Sequence, residues 1–483
     1  MTAKADRAMH GSKSARHLSI SGGDNPMNLQ PHPVDQRLPF GLLAVLGFQH
    51  VLVMYSACIV VPLILGSVLH LPKEQLAVII NADLMAAGLA SLVQSLGLGI
   101  FGMRMPVMMG VTFTAVTPMI AIATVPSLGL PGVYGAIIVS GIFGILFAPV
   151  MGKLLRFFPP VVTGTVLLVI GISLMRVGID WSAGGQPVMA DGSPNPHYGS
   201  PLYLAVSLGE LVLILAINRF AKGFLANIAV LLGVLAAFCA ALALGEVHLQ
   251  GLAQAPWFAV IRPFQFGLPK FDPVAIVSMC LVMLVTLVES TGMFLALGNI
   301  VGRPTTRQRL VRGLMADGLG AVIGGVMNAF PYTSFSQNIG LVTMTGVKSR
   351  FVCATGAAIL VAMGLFPKLA FIVASTPEFV LGAAAMVMFG MVAMMGVRIL
   401  STIDFERQHH NLVIVAISVG VGMIPMVSTT YFNHLPAWSR VFTDSGIVLS
   451  VLSAMLLNLF FNGSGKSEDV EAQIERAAHM ADA

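Results

Sequence analysis

From Phe40 almost to the C-terminus, one apolar run follows another, most of them about 17 to 25 residues long and separated by short polar or Gly- and Pro-bearing links. A run of that length crosses a hydrocarbon core as a helix, and these runs lack the polar/apolar alternation of a membrane barrel. Only 10% of the 483 residues are charged, against about a quarter in soluble domains. The expected fold class is therefore an all-α polytopic membrane protein.

Fourteen segments are predicted, at residues 41–66, 75–98, 106–125, 133–151, 160–179, 203–220, 225–244, 273–301, 308–327, 334–347, 351–366, 380–400, 411–425 and 446–461. Some are too short or too polar to be plain spanning helices. An even number of spans puts both termini on one side. The loops bearing Arg104, Lys153, Arg156, Arg219, Lys222, Arg303, Arg307, Arg309, Arg312, Lys348, Arg350, Arg398 and Arg407 carry roughly twice the Lys and Arg of the alternate set. Those loops and both termini are expected in the cytoplasm. The opposite loops include 181–200, with no Lys or Arg, and 251–272, with only Arg262 and Lys270.

The organisation that follows is a disordered cytoplasmic tail over 1–39, a first half over 40–245, an extracytoplasmic loop over 246–272, a second half over 273–462 and a short charged cytoplasmic tail over 463–483. The first tail lacks the apolar core of a cleaved signal, and Met27 is as good a start as Met1. The net charge of +5 reflects the loop asymmetry and calls for no nucleic-acid partner. Cys58, Cys239, Cys280 and Cys353 fall inside apolar spans without paired spacing, which argues against a disulfide or zinc framework. No GxxxxGK(S/T) run is present to bind a nucleotide.

Ionisable residues inside spans cost a few kcal/mol each and so carry information. They are His50, Asp83, Glu210, Glu289 and Asp317, with Arg176 near a span end. Asp83 and Glu210 lie early enough in their segments to reach the interface or a helix N-terminus, and read as structural. Glu289 lies past the middle of a long apolar run that contains no basic residue. Its carboxyl must be neutral or served by donors from another helix or a ligand, so it reads as a binding or proton-carrying group. His50 reads as a packing residue or a functional one. Asp317, flanked by glycines that let helices approach, reads equally as structural or as coupling.

The stretch FPYTSFSQNIGLVTMTGV, 330–347, is the most demanding of all: it follows a helix-breaking Asn-Ala-Phe-Pro-Tyr-Thr run and is too short to cross as a helix. Irregular backbone at membrane depth is tolerated only when buried in protein or lining a cavity. Half-helices with extended approaches are where transporters place substrates. Gln337 and Gly340 share one face there and Asn338 is turned about 100° away, so that one amide can face a ligand and the other a neighbouring helix. An amide offers a donor and an acceptor together, which suits a planar heterocycle, and Glu289 would accept from ring N–H groups. The third segment, RMPVMMGVTFTAVTPMIAIATV, has the same mix of Gly, Thr, Phe and Pro. Positions three and ten of fourteen are those of a seven-plus-seven inverted repeat.

The run from Gln337 to Gly346 resembles the signature (Gln, Glu or Pro)-Asn-x-Gly-x-x-x-x-Thr-(Arg, Lys or Gly) of nucleobase-ascorbate transporters, the nucleobase:cation symporter-2 family. Gln49-His50 is similar to that family's pair in the first span, 158–174 (FPPVVTGTVLLVIGISL) to its fifth, and 287–292 (LVESTG) to its eighth. The resemblance implies fourteen spans in a seven-plus-seven inverted repeat, divided into a core and a gate domain and usually dimeric, with short antiparallel strands opening spans 3 and 10. It implies that Glu289 and Gln337 hold the base, that Phe113 stacks on it while its backbone completes the site, and that Ser336 adds a contact at the strand end. His50 would hydrogen-bond Asn338 and shape the site, and Asp317 matches an acidic position tied to coupling. Gln at 337 is similar to purine members rather than uracil ones. Met293 stands where several xanthine carriers have Asp and uracil carriers His, which leaves the binding face less polar. The nearest resemblance is to the bacterial urate/xanthine permease branch, with urate the first choice of substrate and xanthine the next, in a bacterial inner membrane.

The expected activity is proton symport of a purine base by alternating access, without a cofactor, since the spans hold no acidic cluster for a sodium cage. The alternative is an anion channel or exchanger of the sulfate, chloride or bicarbonate type on the same fold. It lacks support from the Gln-Asn-x-Gly signature, and an intramembrane Glu repels an inorganic anion unless protonated. An intramembrane enzyme has no ligand cluster or Ser-His pairing behind it. The Met-rich 386–400 reads as an adaptable packing surface.

Overall fold

The computed structural model of the protein describes residues 32–189, 192–436 and 439–463. The expectations for the terminal tails, including the alternative start at Met27, lie almost wholly outside those residues. The elements are α1 (Phe40–Val68), α2 (Lys73–Leu96), β1 (Met109–Val111), α3 (Val116–Ala123), α4 (Gly129–Phe147), α5 (Pro160–Ser182), α6 (Pro201–Phe220), α7 (Ala229–Ala243), α8 (Pro273–Val301), α9 (Arg307–Val326), β2 (Tyr332–Ser334), α10 (Ser336–Thr345), α11 (Arg350–Met363), α12 (Pro367–Ala374), α13 (Glu378–Leu400), α14 (His409–Val427) and α15 (Gly446–Asn462), with short helical turns between some of them.

Among the described residues, eight helices are long and apolar enough to cross a membrane: α1, α2, α4 with its extension to Lys153, α5, α6, α8, α13 and α14. A ninth is counted if α11 and α12, bent by 82° at Pro367, form one broken span. The protein is thus a polytopic all-α membrane protein with a small strand pair, and the remaining expected segments take shorter or broken forms. Segment 106–125 becomes β1, the turn Phe113–Ala115 and α3; segment 334–347 becomes the end of β2 and α10. The helix α9 has the length of a span but opens with Arg307, Arg309 and Arg312, which makes it more polar. The helix α12 is absent from the sequence reading; Pro367 at its first turn ends one helix and begins another.

The two strands pair antiparallel, Met109 opposite Ser334, Gly110 opposite Thr333 and Val111 opposite Tyr332. The ladder is extended by Thr112 N–H to the Pro331 carbonyl at 3.0 Å and Phe335 N–H to the Met108 carbonyl at 3.0 Å. All six strand residues are buried. Backbone that cannot continue as helix is thereby satisfied without lipid or water. Gly110 is required at its position because a Cβ there would run into the Phe335 ring.

Close helix contacts are built on small residues. The helices α5 and α13 run antiparallel along a seam in which Gly164, Gly171 and Gly178 face Leu400, Ala393 and Met386, and Gly382 and Gly396 face Ser182 and Leu168. Spacings of about two helical turns keep these glycines on one face. Gly141 of α4 meets Gly318 of α9, and Gly88 of α2 meets Ala357 and Val361 of α11. Further pairs are α1 with α11, α8 with α4, α6 with α7, and α14 with α15.

At the end of the bundle that carries the arginines, residues before α1 form a strap. Asp35 bridges Arg303 at 3.0 Å and Arg350 at 2.7 Å, the Ser349 hydroxyl donates to the Gln36 carbonyl at 2.7 Å, and Val34 is fully buried.

The seam yields a stability test. Substituting Gly171→Leu sets a side chain against the Ala393 backbone and is expected to destabilise the folded protein by at least about 1–3 kcal/mol. Gly209→Leu on α6, with nothing within 4 Å of the added Cβ and a better helix former in place of glycine, is expected not to lower the unfolding midpoint. Thermal unfolding of the two variants in detergent measures the difference.

Candidate binding site

Both strands lead directly into half-helices, β1 through the turn Phe113–Ala115 into α3 and β2 into α10. Around that junction lies a cavity lined by Glu289 and Met293 of α8, Phe113 and Thr114, the run Thr333 to Gln337, Leu167 and Ile170 of α5, and Val392 and Met395 of α13. In this conformation its free volume is about 30 Å³, so the walls stand close together. Phe113 is held edge-on against Phe389, ring centroids 5.6 Å apart at 89°. The Ser336 hydroxyl donates to Gln337 Oε1 at 3.2 Å, which orients the amide. Five of the residues singled out in the sequence, Glu289, Met293, Phe113, Ser336 and Gln337, therefore share one cavity.

Asn338, on the adjacent face of α10, points the other way. Its Nδ2 donates to the His50 carbonyl at 2.9 Å and lies 3.0 Å from the His50 ring Nδ1, and both residues are buried. This pair fastens α10 to α1 beside the cavity. Gly340 instead lines, with Gln337, a second cavity next to the first.

Asp317 does not line the cavity. It is fully buried behind it, where Gln94 Nε2 donates to Asp317 Oδ1 at 3.1 Å and to the Gly313 carbonyl at 3.1 Å. The Gln94 Oε1 accepts from Met103 N–H at 2.9 Å, so one amide joins α2, α9 and the approach to β1. Ser91 accepts from Met109 N–H at 2.7 Å, which ties β1 to α2. Ser290, next to Glu289, is 3.1 Å from the Thr333 hydroxyl and ties α8 to β2.

The sequence reading singles out none of Gln94, Ser91, Ser290 or Thr333. Their signal is the helical spacing of Ser91, Gln94 and Ser95 on one face of an apolar run. Asp83, expected to reach the interface or a helix N-terminus as a structural residue, lies in the middle of α2 and is enclosed instead. Asp83 is 1% exposed and accepts from the Tyr332 hydroxyl at 2.9 Å, because α2 is enclosed by α9 and α11. Glu210 is likewise buried. Among the described residues no group of three or more His, Cys, Asp or Glu side chains is placed to hold a metal ion.

The cavity thus combines a carboxyl, an amide, strand-end backbone, hydroxyl-bearing residues and the rings of Phe113 and Phe335 within otherwise apolar walls. That set matches a flat ring with polar edges: the carboxylate accepts, the amide does both, and the Phe113 face packs.

Residues 41–430 match the model of the Permease family (Xan_ur_permease). The chain is 50% identical over 446 residues to the uric acid transporter UacT of Escherichia coli (strain K12), covering 92% of this chain and 90% of that one. It is 45% identical over 430 residues to the uric acid permease PucJ of Bacillus subtilis (strain 168), covering 89% and 95%. Among solved structures, the transmembrane domain of a cyanobacterium bicarbonate transporter, BicA, aligns with a TM-score of 0.53 at 15% identity, covering 88% of this chain and 100% of that one. The last is a likeness of fold.

The Gln94 junction gives a prediction independent of ligand. Gln94→Ala leaves buried Asp317 and Met103 groups without that partner, and unfolding should be easier by about 1–3 kcal/mol. Gln337→Ala, which faces the cavity, should unfold like the parent protein. Denaturation of the purified variants compares them.

Proposed function

The chain belongs to the Permease family that its residues 41–430 match, and on that premise we propose that it imports a purine base, urate first and xanthine next, by proton symport with alternating access. The observation that carries this reading is that Glu289 and Gln337, from different helices, line one cavity with Phe113. Glu289 would accept ring N–H groups, Gln337 would read the adjoining N–H and C=O edge, and Phe113 would lie against the ring face. The Asn338–His50 pair would hold α10 so that Gln337 faces the base. Ser336 orients that amide through its own hydrogen bond. Met293 keeps this side of the site apolar. Asp317, behind the cavity, would couple through Gln94 and the strand pair rather than by contact. The relatives quoted above are named for uric acid, which supports the choice of urate.

We further read the fold as fourteen segments in a seven-plus-seven inverted repeat, with a core of segments 1–4 and 8–11 and a gate of 5–7 and 12–14. The pairing of helices supports it. Shifting each segment by seven turns the α4–α9 contact into α11–α2, the α1–α11 contact into α8–α4, and α6–α7 into α14–α15. The strand pair and the α5–α13 seam map onto themselves, as elements on a pseudo-two-fold axis do. In this reading the molecule works as a homodimer in a bacterial inner membrane, with both termini cytoplasmic.

The anion-carrier alternative draws only fold from the bicarbonate transporter domain, and the carboxyl in the cavity disfavours an inorganic anion.

Uptake of radiolabelled urate into cells expressing the protein, with and without a protonophore, tests the proposal. Protonophore-sensitive uptake blocked by unlabelled xanthine and not by uracil is expected. No uptake by protein that reaches the membrane moves the substrate to xanthine, and a chloride-dependent current without nucleobase moves the class to anion carrier. Glu289→Gln should abolish accumulation while the protein stays folded; pH-driven accumulation at the parent level would remove Glu289 from the coupling role.

A further inference from the structure

The second cavity holds a feature that the central site does not explain. It is lined by Gln337 and Gly340, Ser56 of α1, Met391 of α13, Asn218 of α6 and Asn227 on the link between α6 and α7, and its free volume is about 250 Å³. Arg219 in the last turn of α6 and Lys222 in the link lie beside it, so by the charge rule this mouth opens toward the cytoplasm. The walls are otherwise Val, Ala and Met, and Ser56 is a buried hydroxyl among them.

Asn227 stands out chemically. It is exposed, on the α6–α7 link, and its Nδ2 donates to the Met344 thioether of α10 at 3.4 Å. A thioether is a weak acceptor, so a better one displaces it at little cost. Asn227 thus presents at the outer end of the passage the same donor-and-acceptor amide that Gln337 presents at the inner end. The apolar walls between them suit the faces of a flat ring.

We propose that this cavity is a release vestibule in which Asn227, helped by Ser56, holds the purine base in a second, transient position after it leaves Gln337, and that Asn227 thereby contributes to the choice of base. The inference rests on the purine-carrier reading above. In the vestibule the base carbonyl replaces Met344 as the acceptor for Asn227 Nδ2, and a ring N–H donates to Asn227 Oδ1. The Asn227–Met344 contact re-forms when the base has gone, which links emptying of the vestibule to contact between the α6–α7 link and α10.

Two measurements test it. The first compares urate uptake, and efflux from preloaded membrane vesicles, in the parent, Asn227→Ala and Asn227→Gln. Loss of one hydrogen-bonding group should slow turnover by about threefold to tenfold in Asn227→Ala, with weaker discrimination among competing bases, and Asn227→Gln should recover most of both. The second places a single cysteine, Asn227→Cys, in protein whose Cys58, Cys239, Cys280 and Cys353 are serine. A membrane-impermeant maleimide should label it from the cytoplasmic face of inside-out vesicles, and saturating urate should slow labelling. Parent-like turnover and competitor ranking in Asn227→Ala, or labelling indifferent to urate while the parent still transports it, overturns the vestibule alone. A parent protein that takes up no purine overturns the carrier reading and the vestibule with it.

Discussion

Six buried residues in two short strands hold the architecture of this protein together. At membrane depth a backbone that leaves the helical path has no solvent to turn to, and a single unpaired strand there would be untenable. The pairing of Met109–Val111 with Tyr332–Ser334 solves this for both at once. It also forces segments over two hundred residues apart in sequence to end at the same point, with two half-helices and the cavity between them. Part of the polar interior serves that junction: Ser91 and Gln94 anchor β1, Ser290 approaches Thr333 on β2, and Asp83 receives the Tyr332 hydroxyl from the same strand.

This explains what could be read from the sequence and what could not. Local constraints were legible. The helix α8 starts and ends where its apolar run does, and the irregular nature of 330–347 was evident from Pro331 and the amide pair. The cavity residues Glu289 and Gln337 were conspicuous because each is costly where it stands. Partners fixed only by tertiary packing were not legible. Nothing within Ala-Ser-Leu-Val-Gln-Ser announces that Gln94 will meet Asp317 across 223 positions of sequence. The enclosure of Asp83 depends on α9 and α11 and leaves no mark in α2 itself. The bend before α12 could have been read from Pro367, where the apolar run continues on both sides of the break.

Two kinds of contact divide the bundle. Around the strands, polar side chains connect helices through specific bonds. Along α5 and α13, glycines bring backbones together. The first kind fixes one geometry, since each bond has a donor and an acceptor at set positions. The second is a smooth surface that resists compression and tolerates no added methyl, and it borders the cavity through Leu167, Ile170, Val392 and Met395. A ligand in the cavity therefore has an articulated polar wall on one side and a stiff apolar one on the other.

The strap at Asp35 has a mechanical meaning. Arg303 follows α8 and Arg350 opens α11, and Asp35 grips both, while Glu289 lies on α8 about 20 Å from that grip. A long helix is a stiff rod, so the strap fixes the end of the same packed helix whose middle carries Glu289. The clamp is ionic and partly exposed to water, and counter-ions weaken such pairs. Salt in the compartment that bathes the strap therefore loosens its hold on the ends of α8 and α11.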